Sequence, residues 1–124
     1  MTTINPTFVR YIGSADGSTA RVTWTDVTET DDCAGVALPE YADKSVQVFG
    51  TFDSANVAVH GSNDGGTTYA ALNDPSGTVI DMTVAGIKAV LENTEYVKPV
   101  ITTGGATQSL TVVMLARLSN PLRT

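Results

Sequence analysis

The chain has 124 residues, one cysteine, and thirteen acidic against seven basic side chains, for a net charge of −6 near neutral pH. A single domain of this length buries a core without staples, and one thiol rules out an internal disulfide. The acidic balance excludes a phosphate-backbone partner, which needs clustered Lys and Arg, and disfavours an anionic membrane surface.

Charged residues make up only 16% of the chain, so the polar surface falls to Thr, Ser, Asn and Gly. Threonine's branched Cβ favours strands. The opening Met-Thr-Thr-Ile-Asn-Pro-Thr-Phe has no basic start and no apolar run, so no signal peptide is read. No apolar run is long enough to span a bilayer as a helix. The expectation is a protein made in the cytoplasm.

In chain order, Phe8 to Ile12 is expected as a short strand and Gly13 to Ser18 as a turn. Residues 1–20 as a whole are weakly patterned and are expected as an extended arm of the single domain 1–124, with 119–124 as a second arm. Ala20 to Thr25 alternates, placing Val22 and Trp24 on one face, with Trp24 as a core anchor. Residues 26–35 form an acidic, turn-like segment, and Pro39 keeps the stretch around it out of the middle of a central strand.

Lys44 to Phe52 is the clearest strand. Val46 and Val48 line one face, followed by Gly50 and Phe52, while Ser45, Gln47, Phe49 and Thr51 line the other. Phe49 breaks that polar side, which predicts partial cover there. Asp53 to Asn56 reads as a short turn into a strand at 56–61, and a hairpin between these two strands is the strongest pairing predicted. Gly61 to Gly66 is a polar break. Strands are then expected around Thr67 to Leu72 and Thr78 to Met82, separated by the turn Asp74-Pro75-Ser76-Gly77.

Val84, Ile87, Val90 and Leu91 fall three or four residues apart, so 84–91 is the one candidate for a short helical segment, weakened by Gly86. Tyr96 to Ile101 is a strand whose Pro99 places it near an edge or bulge. Gln108 to Leu118 reads as a central strand, with Leu110, Val112, Met114 and Ala116 inward. Val113 and Leu115 on its other face predict cover from the domain or from a partner. The sum is seven or eight short strands, which predicts an all-β, antiparallel sandwich or jelly roll.

The candidates for chemistry are few. His60 has no second histidine with which to share a metal and reads as a half-exposed structural residue. Cys33 reads as a buried, inert thiol. The carboxylates Asp26, Glu29, Asp31 and Asp32 lack the spacing of a calcium loop and read as a solvated segment. Asn63-Asp64-Gly65-Gly66 reads first as a tight turn. There is no G-x-S-x-G elbow and no Gly-rich phosphate loop with its Lys. Hence no enzyme is predicted, and no catalytic, cofactor-binding or metal-binding residue is assigned. Tyr11, Trp24, Tyr41, Tyr69 and Tyr96 leave open a carbohydrate- or receptor-binding module.

Taken together, V-Q-V-F-G-T-F at 46–52, V-A-V-H-G-S-N-D-G-G-T-T-Y at 57–69, L-N-D-P-S-G at 72–77, T-V-A-G-I at 83–87, Y-V-K-P-V at 96–100, G-G at 104–105 and L-T-V-V-M-L-A-R at 110–117 resemble a family. It comprises small structural proteins of tailed phages and prophages, the capsid decoration (cement) proteins of short-tailed phages above all. The resemblance spans about residues 36–118. It implies a non-catalytic protein on the outer capsid surface of the virion, made in the host cytoplasm. Its partners would be the major capsid protein and copies of itself in a dimer or trimer, with no nucleic acid, membrane or cofactor. A tail or head-tail component is the rival within the same resemblance. Phe49, Val113, Leu115 and the tails are the candidates for partner contact, with edge-strand augmentation as another mode.

Overall fold

Alternation becomes burial along three strands that form the middle of one sheet. In the computed structural model, which describes residues 3–10, 18–29 and 31–118, these are β3 (Thr19–Val27), β6 (Tyr41–Thr51) and β11 (Ser109–Leu118). Val22 and Trp24, Val46 and Val48, and Leu110, Val112, Met114 and Ala116 are all removed from solvent. The residues between them face outward, as the two-residue side-chain period requires. Trp24 is a core anchor, as its place in the pattern predicts, and its indole N–H donates to the Ala34 carbonyl at 2.9 Å.

The remaining strands are β1 (Thr3–Ile4), β2 (Thr7–Arg10), β4 (Asp32–Cys33), β5 (Val36–Ala37), β7 (Asn56–Ser62), β8 (Ala70–Ala71), β9 (Gly86–Val90) and β10 (Tyr96–Thr103). A five-stranded antiparallel sheet runs β2-β3-β11-β6-β9, and a four-stranded antiparallel sheet runs β5-β10-β7-β8. A short parallel pair joins β1 to β4. One core takes Val22, Val46, Val112 and Met114 from the first sheet and Val57, Val59 and Val97 from the second. The fold is therefore all-β and sandwich-like, with no helix among the described residues.

Three sequence expectations are corrected. First, β6 and β7 do not form a hairpin. The turn itself closes, with Asp53 and Ser54 both at positive φ and the Ala55 N–H donating to the Phe52 carbonyl at 2.8 Å. But β6 already has β11 on one side and β9 on the other, so it has no free edge. The chain therefore crosses to the opposite sheet, where β7 pairs with β10 and β8. Second, 84–91 is not helical. Gly86 to Val90 is a strand paired with Val48 to Lys44. The three-and-four spacing of its apolar residues does not mark a buried stripe, because Val84, Ile87 and Leu91 are exposed and only Val90 is buried. Third, the strands expected at 67–72 and 78–82 shrink to the pair Ala70–Ala71 and to isolated bridges, Asn73 with Val79 and Val57 with Met82.

Other features follow the sequence closely. Pro39 lies in the turn between β5 and β6. Pro99 faces Val59 of β7, on a stretch of β10 that lies beyond its short pairing with β5 at Tyr96 and Val97. A proline without an N–H is tolerated where one flank carries no ladder. The bulge expected near it falls between Ile101 and Thr103. Thr3–Ile4 and Thr7–Arg10 take their places in the two sets of pairings just described, whereas Tyr11, Ile12, the 13–17 part of the predicted turn and residues 119–124 lie outside the described residues.

At Gly50 in β6 the backbone of β11 passes close. The Gly50 φ is +123°, and a Cβ placed there would sit 2.5 Å from the Ser109 carbonyl oxygen. Gly50→Ala is expected to destabilise the protein by about 1–3 kcal/mol through backbone strain and this clash. Trp24→Ala is expected to cost about 3–5 kcal/mol as a core cavity. Denaturant unfolding of the two variants checks both values.

Candidate functional site

Because β3, β6 and β11 send alternate residues inward, their other residues form one continuous outer face. Cross-strand register orders this face into rows. One row runs Val9, Arg21, Leu115, Ser45, Ala89, and the next Thr7, Thr23, Val113, Gln47, Ile87, with Thr111 beside Phe49 below them. A shallow groove is lined by Arg21, Phe49, Ile87, Val113 and Leu115 among others. Phe49 is 41% exposed, Ile87 64% and Leu115 38%, so among the described residues nothing covers these side chains fully.

Phe49, Val113 and Leu115, expected separately as partner contacts, are thus brought together on a single surface. Ile87 and Val9 join them, and the sequence alone marks neither as a contact residue. Ile87 and Ala89 share the outer side and Lys88 and Val90 the other, an order that no apolar and polar alternation marks and that the three-and-four apolar spacing hides.

Carboxylates are nearly absent from this sheet. Its strands hold only Asp26, at the bulge near one end of β3, and Asp43, at the other end beside Arg117 (4.0 Å). Most of the remaining described carboxylates organise loops. Asp64 accepts from the Ser62 hydroxyl at 2.6 Å and from the Thr67 and Thr68 N–H groups. Gly65 and Gly66 have positive φ, the Gly65 N–H donates to the Glu95 carboxylate at 2.9 Å, and the Glu95 N–H donates to the Asn63 side-chain oxygen at 3.0 Å. The tight turn expected at Asn63-Asp64-Gly65-Gly66 is instead part of a longer bent loop, 63–68, gathered around the Asp64 carboxylate.

Asp74 accepts from the Ser76 hydroxyl and from the Ser76 and Thr78 N–H groups. Glu92 holds the Asn73 backbone and side-chain amides, and Asp53 receives the Thr107 N–H. These bonds hold the carboxyls of Asp64, Asp74, Glu92 and Asp53 below the usual range, since accepted N–H and O–H bonds favour the charged form.

In the acidic segment, Asp31 caps Thr28 and Asp32 pairs with Lys98 at 3.6 Å. Among the described residues no three His, Cys, Asp or Glu side chains group in a way that could hold a metal ion. Cys33 is buried, and desolvation, followed by the charges of Asp32 and Asp31, pushes its thiol up to about 12. His60 is half-buried in β7 opposite Lys98, and burial and that cation both lower its pKa.

Of the aromatics named for sugar binding, Trp24 and Tyr41 lie in the core, and Tyr11 lies outside the described residues. Tyr69 carries the Lys98 ammonium 4.5 Å above its ring.

No protein-family model matches the sequence, and a comparison with curated proteins gives no match. Among solved structures, the chain resembles the crystal structure of the SPBc2 prophage-derived protein YomS, at a TM-score of 0.56 and 11% identity. The likeness covers 79% of this chain and 93% of that one. At this identity it is a likeness of fold.

Two outcomes follow for the loops. Asp64 is lowered from 3.8 to about 2 in the folded protein. Its contribution to stability is therefore complete above the unfolded value and disappears as pH falls through the folded one. Asp64→Asn should flatten the fall of melting temperature over that window, as read by thermal melts. Cys33 should resist a thiol reagent at pH 8 in the native protein and react fully after unfolding, because only the thiolate attacks.

Proposed function

We propose that this chain is a non-catalytic structural protein of a phage particle that binds the outside of the icosahedral capsid and stabilises contacts between major capsid proteins. Its partners in this reading are the major capsid protein and further copies of the chain itself. The observation that carries the reading is the fold likeness to a prophage-derived protein over nearly the whole length of that protein. A sandwich with a sheet face that the described residues leave uncovered is consistent with a binding role. So is the use of its loop carboxylates as turn caps. A protein that binds only the assembled lattice stabilises it by mass action, and many copies on a closed shell act together through multivalency.

Imaging of intact particles tests this. Density for the chain at regular positions on the icosahedral lattice is the expected result, together with lower heat resistance of shells that lack it. Density confined to the tail or the head-tail junction would replace this reading with the tail-component one. Absence from purified particles would end both.

A further inference from the structure

We propose that the outer face of the five-stranded sheet is the docking surface for a second copy of this chain, forming a face-to-face dimer with a two-fold axis. The inference deepens the self-association named in the proposed function and rests on that part of it alone.

Three observations choose a second copy as the occupant. The first is charge. A chain of net charge −6 repels its own copy wherever carboxylates are presented. The middle of this face brings no carboxylate against a facing copy, because its two central rows contain none and Arg21 is their one charged residue. The two carboxylates of the sheet lie at its opposite ends.

The second is area. Five strands spaced at about 4.8 Å and some eight residues long at about 3.3 Å each give a face of roughly 600 Å², near the ~800 Å² per partner of a standard interface. The third is self-complementarity. β11 is the central strand of the five. A two-fold axis lying along it stacks Val113 and Leu115 on their own copies. It also sets Arg21 and Thr23 of one copy against Ser45 and Gln47 of the other, an arrangement in which the guanidinium meets neutral oxygen acceptors. Sheets stacked face to face lie about 10 Å apart.

The test uses the purified full chain, with no capsid present, in sedimentation equilibrium. The wild-type protein is expected at twice the chain mass. Val113→Glu, which sets two carboxylates against each other near the axis, should weaken the dimer at least about 100-fold. Thr111→Glu, at a polar outward position, provides the same test should Val113→Glu fail to fold, and circular dichroism and melting temperature verify both. A wild-type monomer at ~100 µM, a trimer, or a dimer that survives both folded variants would overturn the proposal.

Binding of the variants to purified capsids is a separate readout. Capsid binding by a monomeric wild-type protein that is lost in Val113→Glu would assign this face to the shell instead, overturning the dimer while leaving the capsid reading intact. A dimer that dissociates as expected but binds no capsid would uphold the interface and remove the capsid reading.

Discussion

The pairing of β11 with β3 on one side and β6 on the other is the interaction on which the rest of the structure depends. It joins a segment near the start of the chain, one near the middle and one near the end, and it holds along almost the whole length of each strand. With β11 in place, the inward residues of all three strands meet in one layer, and the second sheet has an apolar surface to close against. The order of the large sheet then follows. β6 must take β9 on its remaining side, and β2 takes the remaining side of β3. Because most of these contacts join residues far apart in sequence, their loop-closure entropy is met only when the whole sheet forms.

The loops are built by a different device. In the loops at 63–68 and 74–78, and again at Asp31 and Asp53, a carboxylate gathers backbone N–H groups that no strand supplies with a partner. Short polar side chains do this well because they satisfy the turn locally. The consequence reaches beyond the turns. Much of the negative charge of the chain is held in its loops as structural acceptors, and the broad face of the large sheet is left nearly free of it. The same segregation explains why a sequence rich in Asp presents no group of side chains that could hold a metal ion among the described residues. On that broad face Phe49, Val113, Leu115 and Ile87 stand among threonine, serine and glutamine.

Much of this was legible from residue order alone. Val22 with Trp24, Val46 with Val48, and the run from Leu110 to Ala116 announced their faces correctly, because a strand's side-chain period is a property of the local backbone. Asp74-Pro75-Ser76-Gly77 announced a turn, and Asn63-Asp64-Gly65-Gly66 a break between strands, for the same reason. Phe49, Val113 and Leu115 were legible as oddities on otherwise polar faces, but not as neighbours. Ile87 was hidden by the spacing of Val84, Val90 and Leu91, which imitates a helical stripe when burial is unknown.

What the sequence by itself determined is therefore the class of the fold, the inward and outward sides of the long strands, and the identity of the turns. All of these follow from interactions within a few residues. What only the tertiary structure decided is which strand lies beside which. The turn at Asp53 and Ser54 has the local form of a hairpin, yet its two strands part because both edges of β6 are occupied by chain from elsewhere. The candidate surface belongs to that second category. It exists because β2, β3, β11, β6 and β9 are aligned side by side, and hydrogen-bond partners across a sheet are chosen by the packing of the whole molecule.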